Sequence, residues 1–336
     1  MSITIGDVSQ AAGVSIKTVS RVLNKEKYVA KDTRARVEAA VAKLGYHPNF
    51  AARALAGHRS FQIALIYDNP SPYNAQSVQA GVRARCIEGG YRMIAQPSDA
   101  DSTTLLNELC GLIDQAMLDG IILTPPFTDN PAIRAELARR DMSFVTLSPA
   151  TLDVAVAAAF VDNVQAAEDM TTYLVSLGHR RIGFIEGDTR YAASGQRMAG
   201  YRKALDQAGL TFDAILVRPG QFDFESGSAA ATDLLALEDP PTAIFASNDD
   251  MAAGVLATAH RLGISVPAQL SVAGFDDTDF AQIVWPPLTT IRQPVRALGY
   301  AAADLLFQLP EKVEQRLLAH ELIVRGSTAA RCSVEH

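Results

Sequence analysis

Residues 4–24 constrain this chain more than any other segment. They read Thr-Ile-Gly-Asp-Val-Ser-Gln-Ala-Ala-Gly-Val-Ser-Ile-Lys-Thr-Val-Ser-Arg-Val-Leu-Asn. The pattern is that of two short helices joined by a tight turn. Val8 and Ala12 share one face of the first helix, and Gly13 breaks the run. Ser15 is placed to cap a second helix whose inner face carries Val19, Val22 and Leu23. A third helical stretch between Val29 and Gly45 adds Val37, Ala40, Val41 and Leu44, enough apolar surface to close a three-helix core. The outer face of the second helix presents Ile16, Lys17, Ser20 and Arg21. Lys and Arg flanked by hydroxyl residues suit a DNA major groove, where they donate to guanine O6 and N7 while an apolar side chain meets a thymine methyl. A helical hairpin with a merely solvated basic face shares this pattern, because short helix pairs around a Gly turn are common.

The charge distribution favours the DNA-reading alternative. The whole chain carries a net charge of −7. Residues 1–60, however, hold ten Lys or Arg against four Asp or Glu, a local balance of +6 that leaves −13 for the remainder. Phosphate neutralisation needs only a local basic surface. A chain of 336 residues calls for two or three structural units. The N-terminus lacks a charged-then-apolar leader and no apolar run is long enough to span a bilayer, so a cytoplasmic protein without membrane contact is expected. Cys86, Cys110 and Cys332 are scattered and odd in number, which fits reduced thiols and not a disulfide frame or metal site.

From Phe61 onward short apolar strands alternate with helical stretches. Gln62–Tyr67, Tyr91–Ala95, Gly120–Thr124 and Met142–Leu147 read as strands, separated by helical runs at Val78–Gly89, Ser102–Leu118 and Pro131–Arg140. After Val161 a second series follows, with strands at Arg181–Ile185, Ile215–Val217, Ala243–Ala246 and Ser271–Phe275. Two such series imply two α/β lobes with mostly parallel sheets, and a ligand cleft near the carboxyl ends of the strands. Those ends carry Asp68 with Tyr73 in the next loop, Thr124, Ser148, Asn248 with Asp249, and Asp276 with Asp277. Arg197 stands near a helix start and Phe222 in a loop after a strand. Carboxylates, an amide and an arginine around an aromatic face suit a polyol, with paired hydrogen bonds to hydroxyls and the ring against the C–H face. Asn248 and Asp277 serve equally well as helix caps or turn formers. His179 is read as ordering the turn before a strand. No dinucleotide or phosphate-cradling glycine loop, no nucleophile elbow and no metal spacing of histidines is present. Catalytic residues, metal and cofactor are therefore not expected.

The motifs Asp7-Val8, Ala12-Gly13-Val14-Ser15, Thr18-Val19-Ser20-Arg21-Val22-Leu23-Asn24, Thr33-Arg34 and Leu44-Gly45-Tyr46 through Leu55 carry a family likeness. The chain resembles the lactose-repressor (LacI/GalR) family of transcription regulators over nearly its whole length. Two departures are visible: Ser9 stands for a usual alanine, and Ala30 for a usual serine, which removes an N-cap worth roughly 1 kcal/mol that Asp32 partly offsets. The resemblance implies an all-α helix-turn-helix head over 1–48, a hinge helix and linker over 49–60, and a two-lobed, periplasmic-binding-protein-like α/β body over 61–336. One lobe is expected over about 61–160 and 291–318, the other over about 161–290 and 319–336. It implies that Ile16, Lys17 and Arg21 read base edges while Thr4, Ser15, Thr18, Ser20 and Asn24 hold phosphates. Asn49, Ala52 and Leu55 would contact DNA from the hinge, Leu55 in the minor groove. Arg197, Phe222 and Asp276 match positions that line the family's effector cleft. The expected partners are pseudo-palindromic double-stranded operator DNA, a second copy of the chain and a small effector. That effector is a sugar on the acidic pocket candidates, a nucleobase or nucleoside otherwise. A sugar-binding transport receptor shares the body's fold but would need a secretory leader and no DNA-reading head.

Overall fold

A computed structural model describes residues 3–23, 28–46 and 59–331. The chain divides into two units, residues 1–61 and residues 62–336. The first unit contains α1 (Ile5–Ala12), α2 (Ile16–Leu23) and α3 (Lys31–Leu44). A capping box starts α1: the Thr4 hydroxyl accepts from the Asp7 amide at 3.3 Å while the Asp7 carboxylate accepts from the Thr4 amide at 2.7 Å. Gly13 ends α1 in the left-handed region at φ 61°, where a side chain would be strained. Ser15 then caps α2, its hydroxyl accepting from the Thr18 amide at 3.2 Å. Ser9 fits the turn by donating to the Val14 carbonyl at 2.6 Å. Ala30 begins α3 with no side-chain cap, as its methyl group dictates. Val8, Ala12, Val19, Val22, Val37, Ala40 and Tyr46 form the miniature core, with Leu23, Val41 and Leu44 packed against it.

The second unit opens with β1 (Gln62–Tyr67), α4 (Pro72–Gly89), β2 (Arg92–Pro97), α5 (Leu105–Ala116), β3 (Gly120–Leu123), α6 (Pro131–Arg139), β4 (Phe144–Leu147) and β5 (Ala157–Phe160). Then follow α7 (Asn163–Ser176), β6 (Ile182–Ile185), α8 (Ala192–Gln207), β7 (Val217–Arg218), α9 (Phe224–Leu235), β8 (Ala243–Ala246), α10 (Asp249–Arg261), β9 (Ser271–Asp276), α11 (Phe280–Ile283) and β10 (Thr289–Arg292). Last come α12 (Val295–Leu306), β11 (Gln315–Leu317) and β12 (Glu321–Ile323). The first sheet runs β11-β5-β4-β3-β1-β2 and the second β12-β10-β9-β8-β6-β7. Every pairing is parallel except β10 with β12. Strands β3, β6, β8 and β9 are buried along their whole length and largely apolar, as strands covered by helices on both faces must be.

The chain passes between the lobes three times: after β5, between β10 and α12, and between β11 and β12. The second passage corrects the expected lobe limit. β10 stays in register with β9 through Arg292 opposite Asp276, and Ile291 is wholly buried in the second lobe's core. The crossing therefore falls at Gln293 and Pro294, not at 290/291. Two expected elements also change. The helix expected from Val78 begins at Pro72, because proline is pre-organised for a first turn. The strand expected at 215–217 is instead a 3-10 turn, Ala214–Leu216, followed by the two-residue β7. The Asp213 carboxylate accepts from the Ile215 amide at 3.0 Å and holds that turn. His179 is buried and bonds through its two ring nitrogens to Thr242 at 2.9 Å and Ser271 at 3.0 Å, joining the entries of β8 and β9. Its burial holds the imidazole below its usual pKa. No helix among the described residues is long and apolar enough to cross a membrane.

Candidate effector cleft and DNA-reading face

The lobes face each other across a cleft enclosing about 890 Å³ including its open mouth. Its second-lobe wall is built around Arg197 on α8. The side chain is only 5% exposed, so its five donors must find partners inside the protein. Nε donates to Asn163 Oδ1 at 3.1 Å and Nη1 donates to the Ser247 carbonyl. Nη2 stands 3.9 Å from Asp276 Oδ1, and the guanidinium lies 3.7 Å from the Phe275 ring centroid. Burial lowers its pKa to about 10, against the pull of Asp276 and Asp249, so the group stays charged at neutral pH. Asp276 closes β9 with φ at 114° and accepts from Gln293 Nε2 at 2.6 Å. Burial pushes this carboxyl up to about 6, opposed by Arg197 and by the Gln293 bond.

Phe222 lies over the same region, its backbone left-handed at φ 61° and its ring edge-on to Tyr191 at 5.6 Å. Gly187 makes room for it: a Cβ there would stand 2.0 Å from Phe222 Cζ. Asn248 has two duties. Its Oδ1 accepts from the Met251 amide at 2.9 Å and caps α10, while its Nδ2 donates to the Phe222 carbonyl at 2.8 Å. The cap reading and the cleft reading of Asn248 thus describe one residue.

Of the nine expected cleft residues, Thr124, Ser148, Arg197, Phe222, Asn248 and Asp276 line the cleft. Three do not. Asp249 is fully buried behind the wall, accepting from Thr290 Oγ1 at 2.6 Å and from the Thr278 amide at 2.9 Å. Tyr73 lines an adjoining groove instead, stacked at 6.1 Å on Phe280. Asp68 turns its carboxylate to the Ala100 amide at 3.2 Å, and only its carbonyl enters cleft chemistry, accepting from the Tyr191 hydroxyl at 2.8 Å. Asp277 is neither a cap nor a cleft residue: it pairs with Arg292 at 2.7 Å and with Arg325. Asn163, Tyr191 and Gln293 line the cleft without having been expected. Asn163 and Gln293 sit at lobe crossings, and that position is the signal that would have found them.

On α2, Ser15, Ile16, Lys17 and Arg21 are exposed, while Thr18 and Ser20 are half-buried. Ile16 is 53% exposed beside Lys17, an apolar contact point on a basic face. Thr4 is exposed at the start of α1, and the Thr18 hydroxyl bonds that of Ser15 at 2.9 Å. Asn24, Asn49, Ala52 and Leu55 lie outside the described residues.

A helix-turn-helix unit and a two-lobed, cleft-bearing body in one chain define a ligand-binding transcriptional regulator. Residues 4–49 match the family described as bacterial regulatory proteins, lacI family, and residues 171–328 match the periplasmic binding protein-like domain. The chain is 34% identical over 336 residues to the HTH-type transcriptional regulator DegA of Bacillus subtilis, covering 98% of this chain and 99% of that protein. Among solved structures, a lac repressor dimer bound to operator and the anti-inducer ONPF is 29% identical, with TM-score 0.78 over 98% of this chain and 100% of that one. A complex of the transcriptional regulator CelR with cellobiose is 30% identical, with TM-score 0.74 over 97% of this chain and 99% of that one. The chain belongs to the LacI family of bacterial DNA-binding transcriptional regulators.

Proposed function

We propose that this regulator represses transcription as a homodimer on a pseudo-palindromic operator and releases it when a sugar binds the cleft. The observation that carries the effector reading is the Arg197–Asp276 pair, a buried cation and carboxylate beside the Phe222 ring. Arg197 donates and Asp276 accepts, so together they match a vicinal hydroxyl pair, while the aromatic face covers the sugar's C–H surface. These two are the only charged side chains on the cleft among the described residues, and their charges offset. A neutral polyol suits that balance better than a sugar phosphate. The CelR–cellobiose complex, with its likeness over nearly the whole chain, supports a carbohydrate.

Ile16, Lys17 and Arg21 read base edges from α2, with Thr4, Ser15, Thr18, Ser20 and Asn24 holding phosphates. Asn49, Ala52 and Leu55 act from the hinge. A second copy covers the apolar surface after α11, where Ile283 is 77% and Trp285 87% exposed. Operator DNA places the work of this chain in the cytoplasm, and its function is binding, without catalysis, metal or cofactor. The test is displacement of labelled operator by a panel of sugars, sugar phosphates, nucleosides and purines. One sugar should release DNA from the native protein, and Arg197→Ala should keep operator binding while losing that response. Tighter operator binding on adding the sugar would refute induction, and a response confined to purines would refute the carbohydrate.

A further inference from the structure

The turn that follows β9 carries two consecutive aspartates in an unusual backbone. Asp276 has φ at 114° and Asp277 at 52°, both positive, where a side chain is strained. Such residues persist only where their surroundings over-determine them. The two side chains go to different partners: Asp276 lines the cleft beside Arg197, whereas Asp277 pairs with Arg292 and Arg325. Behind the turn stands Asp249, wholly buried in the first turn of α10. Its Oδ2 accepts from the Thr278 amide at 2.9 Å and from Thr278 Oγ1 at 3.2 Å, while its Oδ1 accepts from Thr290 Oγ1 at 2.6 Å. Thr290 Oγ1 in turn accepts from the Asp277 amide at 3.4 Å. The bonds of this carboxylate thus go to the turn itself or to the strand β10 against which the turn lies. Gly274 on β9 leaves it room, since a Cβ there would stand 2.4 Å from Asp249 Oδ1. A buried carboxylate is costly, and capping of α10 does not account for it, because Asn248 already closes that helix.

We propose that Asp249 is a positioning residue for effector recognition: it holds the 276–279 turn so that Asp276 presents its carboxylate to the cleft beside Arg197. It touches no ligand itself. Gln293, at 2.6 Å, steadies the Asp276 carboxylate only once the backbone has brought it there. Asp249 bears on recognition through the reading that Asp276 accepts from an effector hydroxyl, while its hold on the turn does not depend on that reading. Asparagine can replace it, because the amide oxygen accepts from the Thr278 amide while the amide N–H donates to the Thr290 hydroxyl. Alanine offers neither bond.

The experiment compares crystal structures of full-length Asp249→Ala and Asp249→Asn with the native protein, alongside operator release by cellobiose, ribose, glucose 6-phosphate, cytidine and adenine. In Asp249→Ala, Asp276 should relax out of positive φ and its carboxylate should leave Arg197, with effector affinity falling about tenfold or more. Asp249→Asn should keep both the native turn and the native response. Thr290→Val removes one donor at nearly constant shape, should displace the turn in the same direction, and decides the matter if the alanine variant does not fold. A residue that only fills space would lower stability in Asp249→Ala while Asp276 stayed in place, and that result would overturn the positioning role. An asparagine variant as damaged as the alanine one would overturn it too, by removing hydrogen bonding as the cause. A displaced Asp276 with an undiminished effector response would instead sink Asp276 as the hydroxyl acceptor and leave the hold on the turn standing. If no compound released the native protein from operator, the hydroxyl reading would lose its support and the crystal structures would still decide the hold on the turn.

Discussion

Asp276 combines burial, an unusual backbone and a charge partner in one residue. Its carboxyl is raised to about 6 by burial, while Arg197 and the Gln293 amide pull it down. A hydroxyl donating to it needs the ionised form. Effector affinity should therefore fall by about tenfold between pH 7 and pH 5 as the carboxyl takes up a proton. Arg197, lowered only to about 10, stays charged throughout that range. Titration calorimetry at the two pH values checks the effect, and Asp276→Asn should flatten the dependence as well as weaken binding. The stability consequence has the opposite direction. The folded state keeps a proton that the unfolded chain has released between about pH 4 and 6. The contribution of Asp276 to folding is thus most favourable at the acid edge of that window and declines as pH rises through it. On α2, Arg21→Ala should cost about 1–3 kcal/mol of operator affinity and relax preference at one base pair. Equal weakening on every operator variant would instead make Arg21 a phosphate contact.

The elements show how much a single terminal residue contributes. α1 starts in a complete capping box at Thr4 and α2 on the Ser15 hydroxyl, but α3 starts on a methyl group at Ala30. Two of the three helices in a small core are capped by side chains and the third is not. Ala30→Ser should stabilise the first unit by about 1 kcal/mol. Amide hydrogen exchange of α3 in the intact chain is the measurement, with slower exchange in the early turns expected and unchanged rates counting against the cap. The start of α10 shows the reverse economy. The Asn248 side chain closes the helix and braces the Phe222 loop at once, so Asn248→Ala would loosen both the cap and the cleft wall.

At the scale of the whole body, polar contacts run from one lobe to the other beside the cleft. The Tyr191 hydroxyl donates to the Asp68 carbonyl at 2.8 Å, and Arg190 reaches Asp101 at 2.8 Å while braced on Asp188 at 2.7 Å. On another side Gln196 Nε2 donates to the Ala150 carbonyl at 3.4 Å. Each joins residues on opposite sides of the first crossing, so opening the lobes must break them. The exposed Arg190–Asp101 pair contributes little, whereas the Tyr191 bond is half-shielded and worth about 1 kcal/mol. Tyr191→Phe should shift the free protein toward an opened body and weaken the effector several-fold. Small-angle scattering would register the opening as a larger radius of gyration for the ligand-free variant. An unchanged radius and affinity would mean that packing alone holds the lobes. Such differences lie within the usual 1–3 kcal/mol of coupling between two ligand sites.

The helix-turn-helix unit was legible because its determinants are local. Period, turn glycine and cap act within a few residues, and Val8, Val19 and Val37 are wholly buried as their spacing requires. The alternation of apolar strands and helices likewise announced two lobes, and Arg197 and Phe222 stood out by residue type and place. The cleft's membership was another matter. Asn248 and Asp249 are chain neighbours with the same strand-end chemistry, yet one lines the cleft and the other is sealed behind it by Thr278 and Thr290. Gln293 meets Asp276 because the parallel register of β9 and β10 sets Arg292 opposite Asp276 and brings the next residue to that carboxyl. Secondary structure depends on sequence neighbours, whose spacing can be read along the chain. A binding site depends on register, crossing points and which strand end a side chain happens to face, and those are settled only when distant segments pack.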